Sequence, residues 1–172
     1  MPRPARPASG GSTPADVPSS PSRLTMPQSS TAPTLQDAFR LALDAHRGHK
    51  DRYGAAYILH PLRMMNHLTA EPDRIAAVLH DVVEDSATTL ADLRKLGFGE
   101  QVIAAVDCLT KRRGERYDAY IERCKGNAIA RRVKLADLED NLDLRRLDEI
   151  KPQDLERLNR YLKAWHYLNE SA

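Results

Sequence analysis

Only two cysteines occur in the chain, Cys108 and Cys124, and they show no paired-ligand spacing. They read as reduced packing residues of a cytoplasmic protein. No apolar run approaches the roughly 20 residues that a membrane-spanning helix needs. No short apolar core follows the start, so a secretory signal is not expected. No alternating apolar–polar stretch of useful length appears, which argues against a sheet. Net charge is small as well, formally +2. The basic clusters Arg131–Arg132 and Arg145–Arg146 are short, and each adjoins acidic residues. They read as solvated helix faces, or as phosphate steering around a cleft. Nothing marks a nucleic-acid surface.

Acid is scarce at the start. Residues 1–33 carry Asp16 alone against Arg3, Arg6 and Arg23, and they hold eight of the eleven prolines. Such a segment cannot bury enough surface to offset its ordering entropy, and it is expected to be a disordered tail. Its prolines oppose the amphipathic helix of a transit peptide, and Met26 is an alternative start. The remainder, 34–172, is balanced in charge and sized for one domain.

What fills that remainder is helical periodicity. Thr34 caps a helix with Leu35, Ala38, Phe39, Ala42 and Leu43 on one face. Pro61 sits at a helix start, with His60 as its N-cap, followed by Leu62, Met65 and Leu68. Thr89 and Asp92 form a capping box, and Gly97 ends that helix. Val102, Val106 and Leu109 mark another helix, and Tyr117, Tyr120, Ile121 and Cys124 the next. Gly126–Asn127 is a stop and a new N-cap before Ile129, Val133 and Ala136. Pro152 opens a last helix with Leu155, Leu158, Leu162 and Trp165. The expectation is an all-α single domain, a compact bundle of about eight helices.

The chemistry concentrates in Leu79-His80-Asp81-Val82-Val83-Glu84-Asp85. The small apolar run Ile75–Leu79 precedes it, so the His-Asp pair lies near the core rather than on a solvated helix end. Four-residue spacing puts His80 over Glu84 and Asp81 over Asp85. An imidazole beside carboxylates suits a divalent metal, and a second carboxylate pair can handle a water or a leaving group. Two more segments supply partners: Tyr57-Ile58-Leu59-His60-Pro61, and Val133–Asn141 with Asp137 and Asn141 four apart. His60, His80, Asp81 and Asp137 make two imidazoles and two carboxylates, a set for manganese, iron or zinc.

The order HP, HDVVED, then KLAD with Asn four residues beyond the Asp resembles the hydrolase domain of the RelA/SpoT alarmone family, a branch of the HD-domain metal phosphohydrolases. Thr88-Thr89-Leu90, Gly97-Phe98-Gly99 and Leu109-Thr110-Lys111 extend the similarity, which resembles most the small stand-alone members. The resemblance implies an HD-domain bundle with metal ligands His60, His80, Asp81 and Asp137 and manganese as the usual ion. It implies that Glu84 and Asp85 position or activate the attacking water, and that Asn141 and Tyr161 lie by the nucleotide. The implied reaction removes pyrophosphate from the ribose 3′ position of guanosine tetra- or pentaphosphate.

The departures bear on the substrate. Where the family has H-x-G-Q-x-R-K, the chain reads His46-Arg47-Gly48-His49-Lys50-Asp51-Arg52. Asp51 stands for a family Arg that lies against guanine, and a carboxylate there repels phosphate. Arg52 and Lys50 still supply cations. His49, in place of Gln, hydrogen-bonds a base or phosphate, or caps the helix. His46 reads as a packed or capping residue, or as a neighbour of the site. His67 and His166 read as surface or core residues. Lys134 is expected to pack its stem and reach the cleft edge with its charge. The partner expected is a small nucleotide. Two alternatives stay open: an HD phosphohydrolase for another nucleotide, and a nucleotide sensor without turnover.

Overall fold

A computed structural model describes residues 32–170. The tail reading falls almost wholly on residues 1–31, outside the described residues. The described residues form α1 (Leu35–Ala45), α2 (Leu59–Asn66), α3 (Glu71–Leu79), the single turn α4 (Val82–Asp85), α5 (Leu90–Lys95), α6 (Glu100–Leu109), α7 (Tyr117–Lys125), α8 (Ala128–Asn141) and α9 (Pro152–Asn169). A 3₁₀ turn at Leu144–Arg146 links the last two, and no strand occurs among the described residues. The all-α expectation holds.

Two helices are central. In α3, Ile75, Ala76, Ala77, Val78 and Leu79 are all buried, so the second half of the helix is apolar all round. It packs against α1, α2, α6 and α8. Helix α8 touches α2, α3, α6, α7 and α9. It buries Ala130, Val133, Ala136 and Leu138 together with the polar Lys134, Asp137 and Asp140. Buried charges need partners, and Asp73 of α3 receives Arg132 Nη2 of α8 at 2.9 Å. Arg131 donates to the Leu168 carbonyl and, at 3.1 Å, to that of Glu170. Among the four clustered arginines Arg145 is the most open, 90% exposed, and the Arg132 side chain is half exposed although it pairs with Asp73. Arg131 and Arg132 tie helices together, and Arg146 belongs to the cleft.

The caps follow the sequence closely. Thr34 and Asp37 form a capping box on α1, and Thr89 and Asp92 form another on α5. The Asn127 side chain accepts from the N–H groups of Ile129 and Ala130, and Pro152 is the first residue of α9. Gly97 has φ +91°, and its N–H reaches the Arg94 carbonyl at 2.9 Å. A side chain there would be strained and would crowd Pro33 at 3.3 Å.

Three local readings change. His60 is not an N-cap but the second residue of α2, because the chain already turns helically at Ile58. Pro61 still sits in the first turn, where its missing N–H is harmless. Leu43, Leu155 and Leu162 are exposed rather than buried. Helix α9 instead turns Asp154, Ala164 and Leu168 inward, with Tyr161 and Trp165 partly covered. Arg160 and Tyr161, at the middle of the helix, border the cleft. Finally, α3 stops at Leu79, and His80–Asp81 form a turn before α4.

Candidate metal centre and substrate cleft

That break between α3 and α4 puts His80 and Asp81 at the protein centre. His80 is 5% exposed. Its Nδ1 lies 2.8 Å from the Ala77 carbonyl, which can only accept, so Nδ1 carries a proton and Nε2 faces the site. Helix α2 supplies His60, whose Nδ1 is 2.7 Å from Asp140 Oδ2. Its Nε2 is 3.2 Å from Asp137 Oδ1 of α8. Nε2 of His80 is 2.9 Å from Asp81 Oδ2. Ligand atoms of His60, His80 and Asp137 all lie within 4.8 Å of one another. Asp81 stands outside that group but touches His80, and the Tyr57 hydroxyl donates to its carboxylate.

The electrostatics carry the signature of a cation site. Burial opposes charge on His60, yet hydrogen bonds to Asp137 and Asp140 outweigh it and lift its pKa to about 9. His80 is likewise raised against its burial, by Asp81. Burial works against the Asp137 charge too, but Lys134, His60 and His80 hold its pKa far below the carboxylate range. These carboxylates demand positive charge between them. A divalent ion bound by two Nε2 atoms and carboxylate oxygens supplies it, so the donor set fits. Each imidazole also has its second nitrogen fixed by an acceptor, as metal-ligating histidines do.

Asp140 is the residue that the sequence reading missed. It is 7% exposed and orients His60 while receiving Arg63 Nη2 at 3.0 Å and Arg146 Nη1 at 2.8 Å. Its signal was present: three residues beyond Asp137 on a helix, it shares that face. Asn141 Nδ2 donates to Asp137 Oδ1 at 2.7 Å. Lys134 lines both recesses of the cleft from a buried position, with its ammonium turned to Asp137. It is 8% exposed, 2.6 Å from Asp137 Oδ2, with its ammonium 4.8 Å from the Tyr120 ring centroid.

A cavity of about 340 Å³ opens over the three ligands. Lys50, Arg52, Tyr53, Asn141, Arg146 and Tyr161 wall it. Arg52 is half exposed and 3.6 Å from Asp154, so it retains freedom to meet a ligand. A second recess of about 310 Å³ continues past Asp81 and Asp137 to Glu84, Lys111 and Arg160. Glu84 accepts from the Lys111 N–H. Loss of water around its carboxylate, with Asp81 and Asp85 nearby, raises its pKa. Asp85 points elsewhere, 3.6 Å from His46. His49 also lies away from this cavity, on a different recess beside His46.

Asp51 behaves differently from an unpaired carboxylate facing phosphate. Its Oδ1 accepts from the N–H groups of Tyr53 (2.9 Å) and Ala55 (3.0 Å), which builds a turn. Its Oδ2 holds Arg146.

By fold and site, the described residues form an HD-type helical domain with a buried His/Asp centre. No family-level sequence model matches the chain. It is 34% identical over 125 residues to a guanosine-3′,5′-bis(diphosphate) 3′-pyrophosphohydrolase of Aquifex aeolicus, covering 65% of this chain and 17% of that protein. A protein of the same name from Vibrio cholerae is 31% identical over 152 residues, covering 80% and 21%. The solved structure of a metazoan SpoT orthologue, described as hydrolysing ppGpp, superposes with a TM-score of 0.64 at 26% identity, covering 81% of this chain and 89% of that one. Together these identify the chain as a homologue within the RelA/SpoT group of HD-domain hydrolases. The chain spans only about a fifth of the length of the two curated relatives. No helix among the described residues is long and apolar enough to cross a membrane.

Proposed function

We propose that residues 34–172 form a manganese-dependent phosphohydrolase that removes the 3′-pyrophosphate of guanosine tetra- or pentaphosphate. One observation carries this reading. The ligand atoms of His60, His80 and Asp137, within 4.8 Å of each other, form the floor of a cavity whose walls carry Lys50, Arg52 and Arg146. Carboxylate and imidazole below and cations above suit a metal holding a phosphate ester.

When bound, the ion supplies Lewis-acid charge and a water whose pKa falls from about 15.7 toward 7. The protein's own groups do the rest. Asp81 completes the ligand set from its place beside His80, and Asn141 fixes the Asp137 carboxylate. Lys50 and Arg52 hold the phosphates, while Tyr161 and Tyr53 offer ring faces to the nucleoside. Glu84 receives the water's proton: its raised pKa suits a base, and it shares a recess with Asp81 and Asp137. Asp85 acts through its neighbours, not on the water.

A second reading keeps the chemistry and changes the nucleotide. It is favoured by Asp51, locked in a turn where the family's guanine-facing Arg would stand. The test is direct. Purified protein with manganese is given a panel of nucleotides, and products are identified. Guanosine tetraphosphate yielding guanosine diphosphate and pyrophosphate supports the first reading. Faster cleavage of another nucleotide replaces it with the second. No cleavage of any, with metal bound, leaves a nucleotide sensor.

A further inference from the structure

We propose a second divalent-cation site, separate from the first, built from His46, His49 and Asp85. Their ligand atoms lie within 4.8 Å of one another, and no residue is shared with the His60 group. The local fold brings them together. His46 ends α1 as its C-cap. Gly48, at φ +77°, lets the chain reverse so that His49 returns beside His46, the two rings meeting edge-on at 5.8 Å. Asp85, last residue of α4, comes from the other side.

His46 supplies the independent observation. Its side chain is 1% exposed, and its Nδ1 is buried without any hydrogen-bond partner. Leaving a buried polar nitrogen unpaired forfeits its hydration without recompense, so this atom calls for a partner. Nδ1 points to Asp85 Oδ2 at 3.6 Å, beyond hydrogen-bond reach. The gap matches an ion instead: ligands of a tetrahedral zinc, with bonds of about 2.0–2.1 Å, stand about 3.4 Å apart. Asp85 has no Lys or Arg partner among the described residues, although Arg47 is close in sequence to both histidines. Arg47 pairs with Asp44 at 2.7 Å. His49 is exposed, so it can close the remaining distance without repacking the core.

Two imidazoles and one carboxylate bind first-row divalent ions such as zinc or manganese and leave positions open to water. Tyr57 packs against both centres, its ring 4.7 Å from that of His46 and 5.7 Å from that of His60. The second ion would therefore fix the loop and tyrosine that wall the cleft. It also accounts for Asp85 turning away from the catalytic recess.

The experiment counts ions, not turnover. Full-length protein stripped by chelator is loaded with zinc or with manganese, desalted, and its metal per chain measured. Wild type is expected to hold two equivalents, His49→Gln and Asp85→Asn one, and Asp137→Asn one. Circular dichroism checks that each variant is folded. One equivalent in wild type, or two retained in both His49→Gln and Asp85→Asn, overturns the proposal. The count is independent of which nucleotide is cleaved, so failure of the hydrolase reading would leave it standing.

Discussion

Asp51 and Arg146 are 95 residues apart in the chain and pair at 2.6 Å. The guanidinium is held a second time by Asp140 at 2.8 Å and lies 5.1 Å from the centroid of the Tyr53 ring. An aspartate that looks like the loss of a cation therefore brings one in from another part of the fold. Arg146 reaches the same cavity wall as Lys50 and Arg52. It is only 20% exposed, and an arginine so clamped is preorganised for a planar anion or a purine face.

Arg146→Ala is expected to raise the Michaelis constant for the nucleotide. A cation on a phosphate or ring is worth about 0.5–2 kcal/mol, hence about two- to thirty-fold. Asp51→Arg should raise it too, since it breaks the turn and sets two guanidiniums together. Steady-state kinetics on metal-saturated protein decides. A lowered constant for Asp51→Arg would mean that the family's arginine position is still open.

Asp140 holds His60 from behind. Asp140→Asn should weaken metal binding about 10- to 100-fold, the usual cost of losing a partner that orients a ligating histidine. Titration calorimetry with manganese measures it. Affinity equal to wild type would show that Asp137 alone fixes the ring.

Glu84→Gln should keep its metal and lose about a hundred- to ten-thousand-fold in turnover, the range of a general base. Because burial and the neighbouring carboxylates raise the Glu84 pKa, the acid limb of the wild-type turnover profile should lie above the ordinary glutamate range of about 4.3. The base must be ionised, so activity falls as pH drops through that limb. A limb unchanged in Glu84→Gln would assign the base elsewhere.

The helices and their caps were legible because each rests on local chemistry: Thr34, Thr89, Asn127 and Pro152 all begin helices where the sequence places them. His60, His80 and Asp137 were legible from residue type and spacing. What the sequence hid is long-range pairing. Nothing local marks Asp51 as the partner of Arg146, or Asp140 as the support of His60. The break after Leu79 was hidden too. Periodicity reads straight through HDVVED, yet His80 and Asp81 lie in a turn between α3 and α4.

Arg123 fastens the loop that reaches Glu84. Its guanidinium donates to the carbonyls of Asp107 (2.6 Å), Cys108 (2.9 Å) and Thr110 (3.0 Å), closing the end of α6, and to Glu115 Oε2 at 2.7 Å. Lys111, whose N–H contacts Glu84, lies between those anchors. The hydrogen bond from Arg123 pulls the Glu115 pKa down to about 2. A carboxyl depressed on folding contributes stability above its unfolded pKa of about 4.3, and that contribution is lost as pH falls toward 2. Glu115→Gln should therefore be less stable than wild type at pH 7, by about 1.5–3 kcal/mol, since Arg123 makes two charge-assisted bonds to the carboxylate. The two should converge near pH 2. Urea unfolding across that window tests the pair. A deficit that persists undiminished at pH 2 would show that shape, not charge, holds the loop.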